Sequence, residues 1–357
     1  MLCSLGTLGL LIPANILPLM HVSILGMTRE SRMASGVRVM WDQHWVLLAG
    51  LVGACAIVFP LARFTVLSAT LTCLRLGLRK RWLGPAFRWS HWLAPWAMPD
   101  VFLIGCAVGY SRLAATADVT VDPGGICIIF AAILAMLTQA TLDRRAVWRA
   151  ISPEPTFAPA QAVACTACEL VQPVEMHTQP CPRCGLRLHG RKPDALIRTT
   201  ALVIAGLVLY VPANVFPMST DLQLGERVDH RIVDGIADLF RAGLWPLGVL
   251  IFCTSITIPL LKLAGLGWLL LSVRRGSPHH LRRKTRLYRL IDEIGRWSNI
   301  DVFTIAVFAP LLQFGALATA GASGGATAFI LVVTLTMLAS RAFDPRMLWD
   351  AGLARRS

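Results

Sequence analysis

The chain alternates between long apolar stretches and shorter segments rich in basic residues. Eight apolar stretches approach or exceed the roughly 20 residues that a helix needs to cross the hydrocarbon core of a bilayer. We therefore predict eight membrane-spanning helices with soft boundaries, at residues 5–25, 46–74, 97–117, 125–142, 196–217, 244–273, 298–317 and 327–342. The first stretch lacks a basic start and a small-residue cleavage site, so we retain it as a span and not as a cleaved signal.

Composition and charge give this pattern an orientation. Hydrophobic residues make up 55% of the 357 positions and charged residues 15%, a balance that suits a bilayer better than water. Of the 34 Lys and Arg residues, 25 lie in segments 75–92, 143–198, 274–296 and 341–357. Basic loops stay on the cytoplasmic side, so we predict a multi-pass membrane protein with both termini in the cytoplasm. Positive-inside loops explain the net charge of +14, and we predict no nucleic-acid partner.

An internal repeat organises the chain. Ile12–Pro18 matches Val211–Pro217 at an offset of 199, and the match continues through four predicted spans, where two inserted residues shift the offset to 201. The fold class predicted is therefore an all-α membrane protein with two parallel four-helix repeats, eight spans in total, and a small cysteine module. The predicted domains are a first half (1–149), a linker (150–164), the cysteine module (165–192) and a second half (193–357).

The loop between the first two spans of the second half has its own pattern. Residues 221–228 alternate around a glycine, which is typical of a short hairpin. Apolar residues then recur at helical spacing, which predicts an amphipathic helix on the outer surface of the bilayer: Ile232, Ile236, Leu239, Phe240 and Leu244.

Four cysteines form the clearest chemical motif. Cys165 and Cys168 are separated by two residues, as are Cys181 and Cys184, with twelve residues between the pairs. Two such knuckles can close a tetrahedron of thiolates around one Zn²⁺, and no coordination position then remains open for catalysis. We predict one structural zinc; disulfides are disfavoured in a reducing cytoplasm, and iron is the alternative metal.

Charged residues inside predicted spans are functional candidates because burying them is costly. Lys262 and Asp301 enter neighbouring spans from the same side, and we expect them to pair. Three hydroxyl residues fall at spacings that place them near these charges, which completes a predicted transport cluster: Ser255, Ser298 and Thr336. The alternative is that the pair only fastens helices together.

The first half keeps the charges of this cluster but not its hydroxyls. Arg63 and Asp100 are the counterparts of Lys262 and Asp301, whereas three alanines replace the hydroxyl residues: Ala56, Ala97 and Ala135. We therefore predict that the working site lies in the second half and that Arg63 and Asp100 act chiefly in assembly.

A Pro-Ala-Asn-x-x-Pro motif occurs once in each half and predicts interrupted helices. The prolines free backbone carbonyls, to which the asparagine amides can donate. Such helices line a cavity or form a structural kink, and both alternatives stay open. The motif residues are Pro13, Asn15 and Pro18, and Pro212, Asn214 and Pro217.

These motifs together resemble the paraquat-inducible protein A (PqiA) family. The resemblance covers both halves and is carried by the cysteine module, Tyr210–Met218, Pro259–Lys262, Asp301–Phe303 and Phe343–Arg346. It implies a bacterial inner-membrane protein that works beside a periplasmic MCE-domain partner in moving lipids between membranes. Family members typically carry a cysteine module before each half, whereas only Met1–Ser4 precede the first predicted span here, so the first module is lost or the start is assigned too late.

Function is predicted from this resemblance and from what the sequence lacks. No P-loop, paired metalloprotease histidines or Gly-x-Ser-x-Gly elbow occurs, so we predict no enzymatic activity. The leading hypothesis is an inner-membrane component that loads or handles phospholipid-like lipids for an MCE partner and so maintains membrane integrity. The alternatives are a membrane scaffold that anchors the partner without moving lipid, and a stress or redox sensor that uses the cysteines.

Overall fold

The computed structural model describes residues 1–24, 27–114, 118–152, 162–173, 179–188, 191–223, 226–276, 279–311 and 318–354. Most of the described residues are helical. The first half comprises α1 (Leu2–Ile16), β1 (Met20–Ile24), β2 (Met27–Ser31), α2 (Met33–Asp42), α3 (Val46–Gly53), α4 (Phe59–Arg75), α5 (Leu83–Leu93), α6 (Pro99–Leu113), β3 (Asp118–Val121), α7 (Pro123–Thr141) and α8 (Arg144–Ile151).

The cysteine module and the second half follow. Two short strands pair here, β4 (Ala162–Ala164) at the end of the predicted linker and β5 (Val171–Pro173) in the module. The second half comprises α9 (Ala195–Val215), β6 (Ser219–Gln223), β7 (Glu226–His230), α10 (Ile232–Arg241), α11 (Trp245–Ile251), α12 (Ile258–Arg274), α13 (Leu281–Ile294), α14 (Ile300–Leu311), β8 (Ala318–Ala322), α15 (Gly324–Ala342) and α16 (Arg346–Ala354). This order of helices and strands matches the order from α1 to α8.

Five of the predicted spans are confirmed as helices long and apolar enough to cross a membrane, among the described residues. They are Val46–Arg75, Pro123–Thr141, Ala195–Val215, Trp245–Arg274 and Gly324–Ala342. The helices Leu2–Ile16 and Pro99–Ser111 are apolar but shorter, and α14 has twelve described residues. The total of eight spans stays a prediction.

The first predicted span, residues 5–25, is wrong at its end. Helix α1 ends at Ile16, and Met20–Ile24 form a strand. The reason is Pro18, because a proline disfavours helical geometry in the residue before it. Leu17 accordingly has extended backbone angles, φ −78° and ψ 153°. Phe216, before Pro217, has the same geometry at the end of α9.

The chain is not all-α, since each half contains a three-stranded antiparallel sheet. The predicted hairpin of the second half is confirmed, with β6 paired to β7 so that Ser219 faces His230. The third strand, β8, also pairs with β6. In the first half β1 pairs with β2 and β3 in the same way, in the order β2-β1-β3. The strand order in the second half is β7-β6-β8.

Two adjoining helices in each half are joined through a wide π-helical turn. Ala54–Val58 connect α3 to α4, and Phe252–Thr257 connect α11 to α12. A proline follows each turn inside the next helix, Pro60 or Pro259. Since proline has no N–H to donate to the preceding turn, the helix is locally free to widen there.

The chain divides into two compact units. The first comprises residues 1–17, 54–100 and 123–193, and its core is formed where α1 packs on α7 and α4 on α5. The second comprises residues 18–53, 101–122 and 194–357. In the second unit α9 packs on α15, and α2 and α6 pack on α14, with the rings of Phe102 and Phe303 at a centroid distance of 5.6 Å.

The predicted amphipathic helix is confirmed as α10. Ile232, Ile236 and Leu239 are buried, and Phe240 is 46% exposed. Leu244 follows the helix and is the residue that precedes α11.

Candidate functional site

The four predicted metal ligands come together in the folded chain. The Sγ atoms of Cys165, Cys168, Cys181 and Cys184 all lie within 4.8 Å of one another, and all four residues are buried. Cys165 and Cys184 are 3.6 Å apart, and Cys168 and Cys181 are 3.5 Å apart. A tetrahedral Zn–S₄ centre with bonds of about 2.3 Å has sulfur atoms about 3.8 Å apart. The group therefore has the composition and spacing needed to hold a metal ion.

Each pair of cysteines sits on a tight turn of the backbone. The Cys165 amide donates to the Leu170 carbonyl at 3.0 Å, and the Cys181 amide donates to Leu186 at 2.8 Å. The residue after the second cysteine adopts a left-handed conformation in both turns, with φ 59° at Glu169 and 69° at Gly185. Glycine adopts this conformation without steric cost, whereas Glu169 does not. Both turns aim their thiols at the same point.

The thiols also influence one another electrostatically. Hydrogen bonds among the four sulfurs lower the pKa of the Cys165 and Cys181 thiols and raise the pKa of the Cys168 and Cys184 thiols. Thiolates are the form that binds a metal. With four protein sulfurs around it, a bound ion would have no open position for a substrate, so the arrangement suits a structural centre.

The module is seated on helices of the first half. A side-chain carbon added at Gly84, in α5, would collide with the backbone carbonyl of Arg183. Arg183 is itself buried, and its Nη2 donates to the Ser152 carbonyl at 2.6 Å. Arg145 in α8 and Glu169 form an exposed ion pair at 3.5 Å. The module thus packs against α5 and the end of α8 within the first unit.

Lys262 forms the centre of the second polar site. Its side chain is only 2% exposed, and its Nζ donates to the Thr336 hydroxyl at 2.9 Å across the interface between α12 and α15. Gly295 allows this approach, because an added side-chain carbon there would lie 2.7 Å from Nζ. The structure therefore brings Lys262 and Thr336 together, two of the five residues in the predicted cluster.

Among the residues whose side chains are described, Asp292 acts electrostatically on Lys262, and the sequence did not predict this contact. Asp292 lies in α13 and accepts a hydrogen bond from the Ser340 hydroxyl at 3.0 Å. Tyr288, one turn earlier, donates to the Ser340 carbonyl at 2.8 Å. Burial raises the pKa of Tyr288, and the carboxylates of Asp292 and Asp344 raise it further. The signal available in the sequence was an adjacent acidic pair, Asp292 and Glu293, near the end of an otherwise basic amphipathic helix.

The other members of the predicted cluster lie on nearby elements. Ser255 is fully buried in the π-helical turn and donates to the Ile251 carbonyl of its own helix at 2.7 Å. Ser298 is buried in the 3₁₀ turn Gly295–Asn299. Asp301 lies in the first turn of α14, and its side chain is outside the described part of the structure. Its pairing with Lys262 stays a prediction.

The first-half counterparts are buried as well. Arg63 is 4% exposed, and Asp100, in the first turn of α6, is 2% exposed. The Arg63 guanidinium lies 5.1 Å from the centre of the Phe64 ring, within the range of a cation–π contact. Ala56, Ala97 and Ala135 are also buried, so alanines occupy the inner positions that hold hydroxyls in the second half.

The Pro-Ala-Asn motifs differ in detail from the prediction. Helices α1 and α9 continue through Pro13 and Pro212 and end three residues later. The Asn15 amide donates to Leu11, and the Asn214 amide to Tyr210, at 2.7 and 2.8 Å. The prediction that the asparagine amides donate to the carbonyls freed by proline, those of residues 9 and 14 or 208 and 213, is therefore wrong. A helical side chain of this length reaches the carbonyl one turn before it, which explains the difference.

Comparison with known proteins identifies the family. The family model described as paraquat-inducible protein A matches residues 1–152 and 196–352. The chain is 29% identical to the intermembrane transport protein PqiA of Escherichia coli strain K12, over 97% of this chain and 85% of the relative. It is 28% identical to the lipophilic envelope-spanning tunnel protein A of the same strain, over 94% and 78% of the two chains. No solved structure matches.

A third relative comes from another organism. The probable intermembrane transport protein of Haemophilus influenzae is 27% identical, over 97% of this chain and 85% of that protein. The family model covers most of the chain, and the regions outside it are mainly the cysteine module and the extreme C-terminus. The chain therefore belongs to the paraquat-inducible protein A family.

Proposed function

We propose that this protein is the inner-membrane component of an intermembrane lipid transport system and that it loads or handles phospholipid-like lipids for a periplasmic MCE-domain partner. The observation that carries the proposal is family membership, together with relatives named as intermembrane transport proteins and as a lipophilic envelope-spanning tunnel protein. Five helices suited to a bilayer support the membrane location. The recurring order of elements supports a parallel repeat, and the basic segments support a cytoplasmic position for both termini.

The polar site around Lys262 is the proposed working part of the transporter. A buried ammonium in a span is costly unless polar groups surround it, and such residues commonly serve transport. Thr336 supplies one partner and Asp292 a nearby negative charge. We include Asp301, Ser255 and Ser298 in the same site, as the sequence predicts.

The cysteine module is proposed to hold one structural Zn²⁺. Four buried sulfurs fill a tetrahedral coordination sphere and leave no position for a substrate, which favours a structural Zn²⁺. A module this small gains its fold from the bound ion. Because the module contacts α5 and α8, we propose that it stabilises the packing of helices in the first half.

A paired substitution separates transport from scaffolding. Removing one charge of a buried pair leaves the other unpaired and costs about 3–5 kcal/mol, so single changes confound stability with function. Lys262→Met combined with Asp301→Leu removes both charges at roughly constant volume. We expect normal abundance in the membrane but failure to restore the envelope barrier in cells that lack the protein.

The matched control is Lys80→Met with Asp350→Leu, the same residue types at exposed positions outside the spans. It should restore the barrier fully. If the Lys262 and Asp301 double variant also restores it at normal abundance, the pair has no transport role and the scaffold function takes precedence.

A further inference from the structure

Helix α5 lies alongside a membrane span and not beyond its end. It packs against α4, which is the second part of the candidate span Val46–Arg75. Phe87 of α5 lines the same small cavity as Arg63 of α4. At 1.5 Å per residue, Arg63 is about 18 Å from the end of the span at Arg75. The chain therefore turns back after the span, and the last turns of α5 lie at a level within the bilayer.

Three tryptophans form one exposed face of this helix, which we call the tryptophan face. Trp82 precedes α5, and Trp89 and Trp92 follow at helical spacing on the same side; they are 43%, 52% and 52% exposed. The rings of Trp89 and Trp92 meet edge to face at a centroid distance of 5.5 Å. The other sides of the helix are occupied, because Phe87 is buried and Gly84 lies against the cysteine module. Exposed indoles favour the membrane interface, where the ring contacts acyl chains and the N–H reaches headgroups.

The segment that carries these tryptophans is strongly basic. Residues 75–93 include five Lys or Arg residues and no Asp or Glu. Arg79, Lys80 and Arg81 are consecutive and exposed, immediately before Trp82. Cations near a bilayer attract anionic headgroups. The surface thus has positive charge at the level of the headgroups and aromatic rings further along the helix, which matches a phospholipid with an anionic headgroup.

The second half lacks this combination. At the offset of 201, the positions of the three tryptophans are occupied by Arg283, Leu290 and Glu293. Leu290 and Glu293 are exposed in α13. A carboxylate on this face repels an anionic headgroup, and a single leucine offers less apolar surface than two stacked indoles. The lipid-facing chemistry therefore belongs to the first half alone.

We propose that the tryptophan face of α5, together with residues 79–81, binds an anionic phospholipid of the surrounding leaflet. The phosphate meets the cations, and an acyl chain lies against the rings of Trp89 and Trp92. Since α5 also contacts the cysteine module at Gly84, the bound lipid helps to fix the seat of that module at the membrane. This binding goes beyond the proposed function and does not depend on lipid being transported.

The test uses the full chain in phosphatidylcholine nanodiscs that contain a fixed share of lipid brominated on its acyl chain, either phosphatidylglycerol or phosphatidylcholine. Bromine quenches tryptophans that it touches. The fluorescence of the tryptophan face is the difference between the parent and Trp89→Phe with Trp92→Phe. We expect both brominated lipids to quench this component, with phosphatidylglycerol binding at least about threefold more tightly. Arg79→Gln with Arg81→Gln should remove the preference and keep the quenching; two cations are changed because the charge is shared.

The matched control is Arg282→Gln with Arg283→Gln, which removes two exposed cations from α13 and should leave the preference unchanged. Size-exclusion profiles verify that each variant is folded. The arginine variants keep all 11 tryptophans, so the preference can also be followed in the total fluorescence. The proposal is overturned if acrylamide in the water quenches the component and neither lipid does. It is equally overturned if the two lipids bind alike, or if the preference survives in Arg79→Gln with Arg81→Gln.

Discussion

Replacing Thr336 by valine removes the hydroxyl that accepts a hydrogen bond from Lys262 while keeping the shape of the side chain. The bond measures 2.9 Å and both residues are buried, so water cannot replace the lost acceptor. Hydrogen bonds to charged groups contribute about 1.5–3 kcal/mol, against about 0.5–1.5 kcal/mol for neutral pairs. Thr336 also donates to the Val333 carbonyl of its own helix, and valine loses that bond too.

Thr334→Val is the matched control on the same helix. The Thr334 hydroxyl donates to the Ile330 carbonyl at 2.8 Å, so valine there loses a comparable bond within the helix. The difference between the two variants isolates the bond from Lys262. We expect Thr336→Val to lower the free energy of unfolding by about 1.5–3 kcal/mol more than Thr334→Val does.

The assay is unfolding in mixed micelles with increasing denaturing detergent, followed by the fluorescence of the 11 tryptophans. Equal decreases in the free energy of unfolding of the two threonine variants would refute the reasoning, because the hydrogen bond from Lys262 to Thr336 would then contribute no net stability. A barrier defect in Thr336→Val at normal abundance would further tie this contact to function.

Three other outcomes are expected. Elemental analysis should find one zinc per chain, and Cys181→Ser should lose both the metal and membrane abundance; iron in its place would contradict the assignment. Because the pKa of Tyr288 is raised in the fold, its stabilising effect is present below about pH 10 and is lost as pH rises further. Tyr288→Phe should therefore lose less thermal stability than the parent between pH 8 and pH 11. The topology can be tested in a background without the six cysteines outside the module. An impermeant thiol reagent on intact cells should label Asp229→Cys and spare Arg282→Cys. The reverse pattern would show that the predicted topology is inverted.

Local chemistry is what the sequence predicts well. The cysteine group follows from spacing alone, because two residues between thiols fix a tight turn. The hairpin at β6 and β7 follows from alternation across a short connection. By contrast, the third strand β8 joins β6 from about a hundred residues away, and five small residues carry no strong pattern of their own. Pairing of strands so far apart in sequence depends on how the intervening helices pack, because that packing places β8 beside β6.

The polar site was only partly predictable for a related reason. Lys262 and Thr336 stand out because they are polar residues in apolar spans. Asp292 lies in a segment with many basic residues, so it reads as part of a solvated surface until α13 is seen to pack beside α12. The position of Ser255 was also difficult to predict, because the π-helical turn changes the spacing of residues along the helix and no residue type in the sequence marks such a turn.

The sheet of the second half limits how this region can move. Strand β6 leaves the end of α9, strand β8 enters α15, and five residue pairs from Ser219 to Gln223 join the two strands. The Gly325 amide adds a further bond to the Pro217 carbonyl at 3.0 Å. Separating α9 from α15 at that end requires breaking the backbone hydrogen bonds between β6 and β8, each of which contributes about 0.5–1.5 kcal/mol. These two helices are therefore joined at that end, and we expect any separation of helices in this half to occur at their contacts with α12.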